Sequence, residues 1–318
     1  MDLPCCVTGG PKRLYNLLPV LPNEKRIQRM PRMLIIADLE DNCFAIPRGL
    51  ELAAKLDQAV DVVAFTYAPL GALKIKRAQQ PGVRQRLLDE REKKVRAQID
   101  SYQASGQSVT LKVVWEKNID RWINKQCASG RYDAVIKTGN RTESLVHTST
   151  DWQLLRECPA PVLLVADKKW HRTRPVLVAL DLSSSAAPKQ VLNRKVLGVA
   201  RDLAITLGVE LDIIAAIEIP TLLSDLDLVD PIAFEREARE GMKAHISELA
   251  EAFDIPESSF RCKRGPVEKV ITSRAAKARA QIVVMGTVAR KGVKARLLGN
   301  TAEKVLRHLK TDVLAIKP

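Results

Sequence analysis

The sequence predicts an α/β protein built from two similar halves, and three observations carry that prediction. The chain has 318 residues, which is about twice a typical domain of roughly 150 residues. Aromatic residues make up 4% of it and hydrophobic residues 46%, so Val, Leu, Ile and Ala must build the core, as they do in sheets covered by helices. A pattern of apolar run and helix also occurs twice, 143 residues apart.

The repeated pattern is a short apolar run that ends in aspartate and is followed by a helical stretch. Residues 33–38 precede a predicted helix over 46–56, and residues 175–181 precede one over 189–207. The second helix has apolar residues at three- and four-residue spacing, which is typical of an amphipathic helix. Asp38 and Asp181 therefore mark corresponding positions of a duplication.

The later elements follow in the same order in both halves. The predicted strands are 60–66, 109–115, 134–137 and 162–165 in the first half, and 211–217, 260–263, 282–285 and 313–316 in the second. Helical stretches between the strands indicate two five-stranded parallel sheets with right-handed crossovers. The charged segments 85–105 and 234–252 are predicted to be solvated helices along the sheet edges. The expected organisation is an extension over 1–30 without order, a domain over 31–167, a linker over 166–174 and a domain over 174–318.

Charge and composition limit the classes of function. The net charge of +14 divides into +8 for residues 1–170 and +6 for residues 171–318, so no basic tail for nucleic acid is present. No apolar stretch reaches the roughly 18 residues of a membrane span. The first thirty residues lack an export signal, and six scattered cysteines are typical of a reduced compartment. We expect a cytoplasmic protein that does not enter a membrane.

The segment after the predicted strand 282–285 is the strongest indication of a binding site. Glycines at positions 286, 292 and 299 lie between this strand and a helix predicted from Asn300. Ligands of parallel sheets bind outside the carboxyl ends of the strands, and a helix N-terminus after glycine favours phosphate. The loop also contains four cations, Arg290, Lys291, Lys294 and Arg296. An anion is the expected ligand, with Asp181 available for a ribose hydroxyl or a base amino group.

Purely structural roles explain the same residues and stay open. Gly286 could simply end a strand, Asn300 or Thr301 could cap the following helix, and Asp181 could cap a turn. Four cations on a loop are also commonly solvated. The residues alone therefore do not decide between a phosphate site and an ordinary strand-to-helix connection.

The segment Gly286-x2-Ala289-x9-Gly299-Asn300-Thr301 resembles the nucleotide loop G-x2-G-x9-G-[S/T/N] of the universal stress protein family. Residues 148–162, which read TSTDWQLLRECPAPV, are similar to a stretch found in tandem members of that family of the E type. The resemblance covers residues 31–318. It implies two tandem five-stranded domains, similar to adenine nucleotide alpha hydrolases, that form an intramolecular pseudo-dimer.

The resemblance also implies a function in stress resistance in the cytoplasm, since relatives of this type are linked to tolerance of DNA-damaging agents. It implies ATP, with magnesium, in the second domain only. Carried over residue by residue, the nucleotide contacts fall on Ala179, Leu180, Asp181, Ala216, Met285, Gly286, Val288, Ala289, Gly299, Asn300 and Thr301.

Two departures from the family pattern bear on nucleotide binding. Ala289 stands where the family has its second glycine, and a positive φ there would cost a non-glycine residue about 1–2 kcal/mol. In the first half, residues 137–141 lead to Thr148 by a shorter path without the last glycine, and Glu143 and Asp151 add negative charge. We therefore expect the first half to lack ATP and to serve as a structural partner or to bind an apolar ligand.

We expect no enzyme, although slow nucleotide hydrolysis stays open. The P-loop consensus, the nucleophile elbow and zinc-ligand spacings do not occur in the sequence. Two other functions remain as alternatives: an adaptor or apolar-ligand binder without nucleotide, and a basic protein associated with nucleic acid. The protein partners and any higher oligomer are not indicated by the sequence.

Overall fold

A computed structural model describes residues 31–39, 43–73, 75–139, 150–168, 170–219, 229–287 and 300–318. Three predicted site residues, Val288, Ala289 and Gly299, lie outside the described residues, as do the four loop cations and the N-terminal extension over 1–30. None of the helices in these ranges is long and apolar enough to span a membrane.

The described residues form ten strands and eight α-helices, which alternate along the chain except where β6 follows β5 directly. The strands are β1 Arg32–Ala37, β2 Ala59–Thr66, β3 Val109–Trp115, β4 Ala134–Thr138, β5 Val162–Val165, β6 Val176–Leu180, β7 Leu211–Ile217, β8 Phe260–Arg264, β9 Ile282–Gly286 and β10 Asp312–Ile316. The helices are α1 Ala45–Lys55, α2 Gln80–Tyr102, α3 Ile119–Cys127, α4 Thr150–Glu157, α5 Ala187–Leu207, α6 Pro231–Phe253, α7 Val267–Ala278 and α8 Asn300–His308. The sequence predicted every strand to within two residues at each end.

All ten strands belong to one sheet in the order β3-β2-β1-β4-β5-β10-β9-β6-β7-β8. Every neighbouring pair is parallel except β5 and β10, which run antiparallel with Leu163 opposite Leu314. The α/β class and the parallel pairing are as predicted. The two five-strand groups are not separate sheets, because the last strand of each group pairs with the other and leaves no free edge between them.

Helices cover both faces of the sheet, which explains why the central strands are apolar without alternation. The core between one face of the sheet and helices α1, α2, α5 and α6 contains Ile35, Val62, Val178 and Leu197. The core between the opposite face and helices α3, α4, α7 and α8 contains Leu34, Leu155, Val283 and Leu306. Strands such as β1 therefore bury side chains on both sides, as is usual in a parallel sheet with helices on both faces.

Local signals explain the bounds of the long helices. α5 has Pro188 in its first turn, where the backbone N–H has no partner within the helix and its absence removes no hydrogen bond. Gly208, with φ 65°, caps the C-terminus of this helix. The Asp230 carboxylate caps α6 by accepting a hydrogen bond from the Ile232 amide at 2.9 Å. α2 buries only Val95 and Ile99, so the prediction of a solvated helix at this position is correct, although the helix begins five residues before the predicted start at 85.

The segment 166–174 is more than a spacer, because it contacts both halves. The Arg48 guanidinium of α1 forms a buried ion pair with Asp312 at the start of β10 and donates to the Lys168 carbonyl at 3.0 Å. It also stacks over the Trp170 ring at 4.9 Å, and the other Asp312 oxygen accepts from the Ala166 amide. The expected linker is therefore held in place by the Arg48 guanidinium, which contacts Lys168 and Trp170, and by the Asp312 carboxylate, which accepts from Ala166.

Candidate functional site

The structure brings six of the predicted site residues to one edge of the second half. Ala179, Leu180 and Asp181 end or follow β6, Ala216 lies near the end of β7, and Met285 and Gly286 end β9. Ala179 lies directly opposite Met285, and Leu180 lies opposite Ala215, next to Ala216. This is the carboxyl edge of the parallel strands, where ligands of such sheets bind.

Asp181 has a defined orientation. Its carboxylate accepts hydrogen bonds from the Ser183 hydroxyl at 2.9 Å and from the Lys189 ammonium at 2.7 Å. The buried Asn193 side chain accepts from the Asp181 amide and donates to its carbonyl at 2.8 Å. About half of the Asp181 side chain stays exposed, at 45%, so it is both held and accessible from solvent.

Gly286 has a packing role that sequence reasoning did not foresee. A β-carbon at this position would lie 2.7 Å from the Cδ2 atom of Leu192, which is closer than any side chain tolerates. The absence of a side chain therefore lets α5 approach β9. The next residue, Thr287, is buried and its amide donates to the Ile316 carbonyl at 2.8 Å, which ties the end of β9 to the end of β10.

The rest of the predicted loop is only partly visible. Asn300 and Thr301 are the first residues of α8, as the sequence predicted. Val288, Ala289 and Gly299 lie outside the described residues.

The same edge of the first half has different chemistry. The buried Lys137 ammonium of β4 lies 2.9 Å from the Asp151 carboxylate of α4 and 4.0 Å from the Asp38 carboxylate after β1, and it donates to the Thr138 carbonyl. The Thr138 hydroxyl accepts from the Phe44 and Ala45 amides and so satisfies the first turn of α1.

Asp38 is enclosed far more than Asp181. Burial raises the pKa of the Asp38 carboxyl, while hydrogen bonding to Thr138 and the charge of Lys137 act in the opposite direction. Arg91 of α2 donates to the Ala37 and Asp38 carbonyls, and burial raises the pKa of the adjacent Cys43 thiol to about 11. Protein groups therefore surround this aspartate.

Strand register shows which residues of the two halves correspond. Lys137 lies opposite Ile36 and Met285 lies opposite Ala179, and both partners stand two residues before the marker aspartate. Lys137 thus corresponds to Met285, and the next residue, Thr138, to Gly286.

A second register relation concerns the neighbouring strands. Ala64 lies opposite Ala37, and Ala215 lies opposite Leu180. Phe65 therefore corresponds to Ala216. The Phe65 ring is buried and packs edge-to-face on Trp122 with centroids 5.3 Å apart, so the first half is filled where the second half has a methyl group.

Asn193 and Lys137 are the site residues that sequence reasoning missed. Asn193 lies inside an amphipathic helix, where a lone amide is an unremarkable surface residue until the structure shows it against Asp181. Lys137 did give a signal, since a lysine inside an apolar strand needs partners to be buried. The sequence predicts that Glu143 and Asp151 repel phosphate. In the structure Asp151 pairs with Lys137, and Glu143 lies outside the described residues.

The described residues form an α/β sheet with helices on both faces, and residues 172–317 match the model of the Universal stress protein family. Universal stress protein E of Salmonella typhi is 31% identical over 297 residues, covering 90% of this chain and 94% of that protein. The Universal stress protein E homolog of Haemophilus influenzae is 28% identical over 313 residues, covering 96% and 98%. The chain therefore belongs to the universal stress protein family, and this membership indicates a role in the response to stress.

Solved structures agree with the fold over almost the whole chain. A putative universal stress protein from Pseudomonas aeruginosa UCBPP-PA14 is 25% identical, with a TM-score of 0.64 over 92% of this chain and 94% of that one. A universal stress protein from Archaeoglobus fulgidus is 19% identical, with a TM-score of 0.63 over 91% and 97%. The second likeness concerns the fold alone.

Proposed function

We propose that this chain is a cytoplasmic stress-resistance protein whose second half binds ATP with magnesium at the carboxyl edge of β6, β7 and β9. One observation carries the proposal: Ala179, Asp181, Ala216 and Met285 come from three strands and meet at one edge. Among the residues that the structure describes, Ala179, Ala216 and Met285 bring small or flexible side chains to this edge, and Asp181 offers an oriented, half-exposed carboxylate to a sugar hydroxyl or base amino group. We propose binding of the nucleotide, with any slow hydrolysis secondary to it, as the function of this site.

We further propose that residues 31–167 and 174–318 are two universal stress domains that form an intramolecular pseudo-dimer. The support is the antiparallel pairing of β5 with β10, since two chains related by a two-fold axis pair in this way. The Arg48 to Asp312 ion pair adds a contact between the two domains. In this arrangement the first domain is the structural partner of the second.

A matched pair of variants tests the nucleotide site. Asp181→Asn and Asp38→Asn remove the same charge at corresponding positions, one in each half. MgATP should raise the unfolding temperature of the parent protein, because a ligand of the native state stabilises it by RT ln(1 + [L]/Kd), about 2.7 kcal/mol at 100 times Kd. We expect the shift to fall in Asp181→Asn, to persist in Asp38→Asn and to vanish in Gly299→Val. The absence of any shift in the parent at millimolar MgATP contradicts ATP binding.

We also propose that the protein contributes to tolerance of DNA-damaging agents, and this proposal is tested in cells. A strain that lacks this protein should be more sensitive to DNA-damaging agents, and the parent gene should restore tolerance. If Asp181→Asn restores tolerance as well as the parent does, the nucleotide site is not needed for that function.

A further inference from the structure

An exposed aromatic pair lies at the outer edge of the first half. Trp115 ends β3, which is an edge strand of the sheet, and Tyr67 directly follows the neighbouring strand β2. Their ring centroids are 5.7 Å apart, and the rings are tilted by 54°. The Arg84 guanidinium of α2 lies over the Trp115 ring, 5.4 Å from its centroid. Tyr67 is 47% exposed, so one ring of the pair is open to a ligand.

Positive charge is concentrated around this pair. The segment 76–86, which includes a 3₁₀ turn and the first turns of α2, has four basic residues and no acidic one. Lys112 of β3 lies over the Trp122 ring, 5.8 Å from its centroid, and Lys117 stands two residues after Trp115. We call the two rings of the pair and six exposed cations the basic edge. The cations are Lys76, Arg77, Arg84, Arg86, Lys112 and Lys117.

Carboxylates of the protein do not neutralise these cations. In the part of the chain that the structure describes, none of the six forms an ion pair with an acidic side chain. Glu116, which is adjacent to Trp115 in the chain, accepts a hydrogen bond from the Asn118 amide at 2.8 Å. Asp89 accepts from the Gln85 side chain, also at 2.8 Å. Because the cations lie close together and lack acidic partners, the surface has a positive potential that favours a polyanion.

The corresponding edge of the second half has different residues. Trp115 lies opposite Thr66 of β2, and Arg264 lies opposite Ile217 of β7. Thr66 and Ile217 occupy corresponding positions, so Arg264 stands where the first half has Trp115. The Glu235 carboxylate of α6 forms an ion pair with Arg264 at 3.5 Å. A paired arginine thus replaces the tryptophan ring, and the combination of ring and cations is a property of the first half.

We propose that the basic edge binds single-stranded nucleic acid. The cations contact phosphates and a base stacks on the exposed Tyr67 ring, because a basic surface with aromatic rings is what holds single strands without regard to sequence. A single strand fits better than a duplex, since its bases are free to stack on a side chain. The nearly equal net charges of the two halves conceal this surface, because it forms only where the fold places α2 beside β3. It is separate from the nucleotide site proposed in the second half.

Fluorescence anisotropy of the full chain with a labelled oligothymidylate of about 16 nucleotides tests the proposal. The parent should bind, and log Kd should rise with log salt with a slope of about 0.7 for each phosphate contacted. Arg84→Gln/Arg86→Gln should weaken binding and reduce this slope by about 1.4. The matched control Arg236→Gln/Lys243→Gln removes two exposed charges from α6 and should bind like the parent. Absence of binding at low salt, or equal weakening in the two double variants, overturns the proposal.

Variants of Tyr67 separate stacking from attraction by charge alone. Tyr67→Ala should weaken binding about tenfold and leave the salt slope unchanged, because stacking on one ring is lost, whereas Tyr67→Phe should bind like the parent. Unlabelled duplex of the same length, and vesicles of phosphatidylcholine and phosphatidylserine at the same concentration of negative charge, should compete less well than unlabelled oligothymidylate. Equal affinities of Tyr67→Ala and the parent, or better competition by the duplex or the vesicles, contradict a single-strand site.

Discussion

The carboxyl edges of the two halves have the same strand register but different side chains. In the first half the corresponding positions hold Phe65, Lys137, Thr138 and Asp151, which pack and pair with their surroundings. In the second half they hold Ala216, Met285, Gly286 and Ala302. Ala302 corresponds to Asp151 because each stands eleven residues before a valine, Val313 or Val162, and these valines lie opposite Val283 and Val135 at corresponding positions of β9 and β4. The difference shows that two α/β units can keep the same strand register while the residues at the sheet edge differ, with Ala216 and Met285 in one half and Phe65 and a buried Lys137–Asp151 ion pair in the other.

This contrast also explains why Asp38 and Asp181, which occupy corresponding positions in the two halves, differ in exposure. Asp181 is half exposed and bonded to Lys189 and Ser183, whereas Asp38 is enclosed by Thr138, Lys137 and Arg91. An aspartate at the same place in the repeat thus faces solvent in one half and contributes to internal cohesion in the other.

The largest expected effect concerns the ion cluster of the first half. Lys137→Met copies Met285 of the second half but removes the cation between Asp38 and Asp151. We expect the free energy of unfolding, measured by urea denaturation, to fall by about 3–5 kcal/mol, because a buried charge loses its partner.

The double variant Lys137→Met/Asp151→Ala copies Met285 and Ala302 together and provides the control. Its loss should be smaller than the sum of the two single losses, because the residues interact directly. A loss below about 1 kcal/mol for Lys137→Met, as in an exposed ion pair, shows that the cluster does not hold the first half together.

An intermediate effect is expected at the glycine that ends β9. Gly286→Ala forces the new methyl group against Leu192, and overpacking of this kind costs about 1–3 kcal/mol. Thermal or urea unfolding measures the loss. Gly71→Ala is a matched control, since a β-carbon there meets no atom within 4 Å.

The contact with Leu192 can be separated from any other role of this glycine. In a Leu192→Ala background the added cost of Gly286→Ala should largely disappear. If the cost persists unchanged in that background, the glycine is required for a reason other than the approach of α5.

The smallest expected effect concerns the side chains that the long helices α2 and α6 place beside Asp38 and Asp181. α2 contributes Arg91 to the Asp38 carbonyl, while α6 places the buried His245 against Leu182 next to Asp181. Among the residues that the structure describes, neither ring nitrogen of His245 has a partner in hydrogen-bond geometry. Burial lowers the pKa of His245 below 6.5 and the charge of Arg194 acts in the same direction, whereas the Leu182 backbone and the charge of Asp181 act against it.

The sign of the pH dependence follows from this lowered pKa. Below pH 6.5 the unfolded chain binds a proton at His245 more strongly than the folded chain does, so stability is lost as the pH falls from 6.5 toward the folded pKa. Unfolding free energies between pH 7.5 and pH 5 should show a slope that is shallower in His245→Gln and unchanged in His171→Gln, where the side chain is exposed. Identical slopes in all three proteins contradict a neutral, buried imidazole.

Much of the fold was predictable from the sequence, for local reasons. The apolar runs that end in Asp38 and Asp181, the helices that follow them and the positions of all later strands were read from spacing and apolar content alone. These signals are strong because a parallel strand buried on both faces is apolar along its whole length, and because its crossover helix is amphipathic.

The site was only partly predictable. The meeting of Asp181, Ala216 and Met285 follows from strand order, since carboxyl ends of parallel strands share an edge. The reason for Gly286 did not follow, because its close neighbour Leu192 lies on another element far away in the chain.

The sequence by itself therefore determined the α/β class, the repeated order of strands and helices and the family of this protein, because these depend on periodicity and short motifs. Only the tertiary structure decided that the two halves share one sheet through β5 and β10, that Lys137 pairs with Asp151, and that Arg48 pairs with Asp312. Each of these is a pairing of side chains or strands distant in sequence, and such pairings depend on how the elements pack against one another.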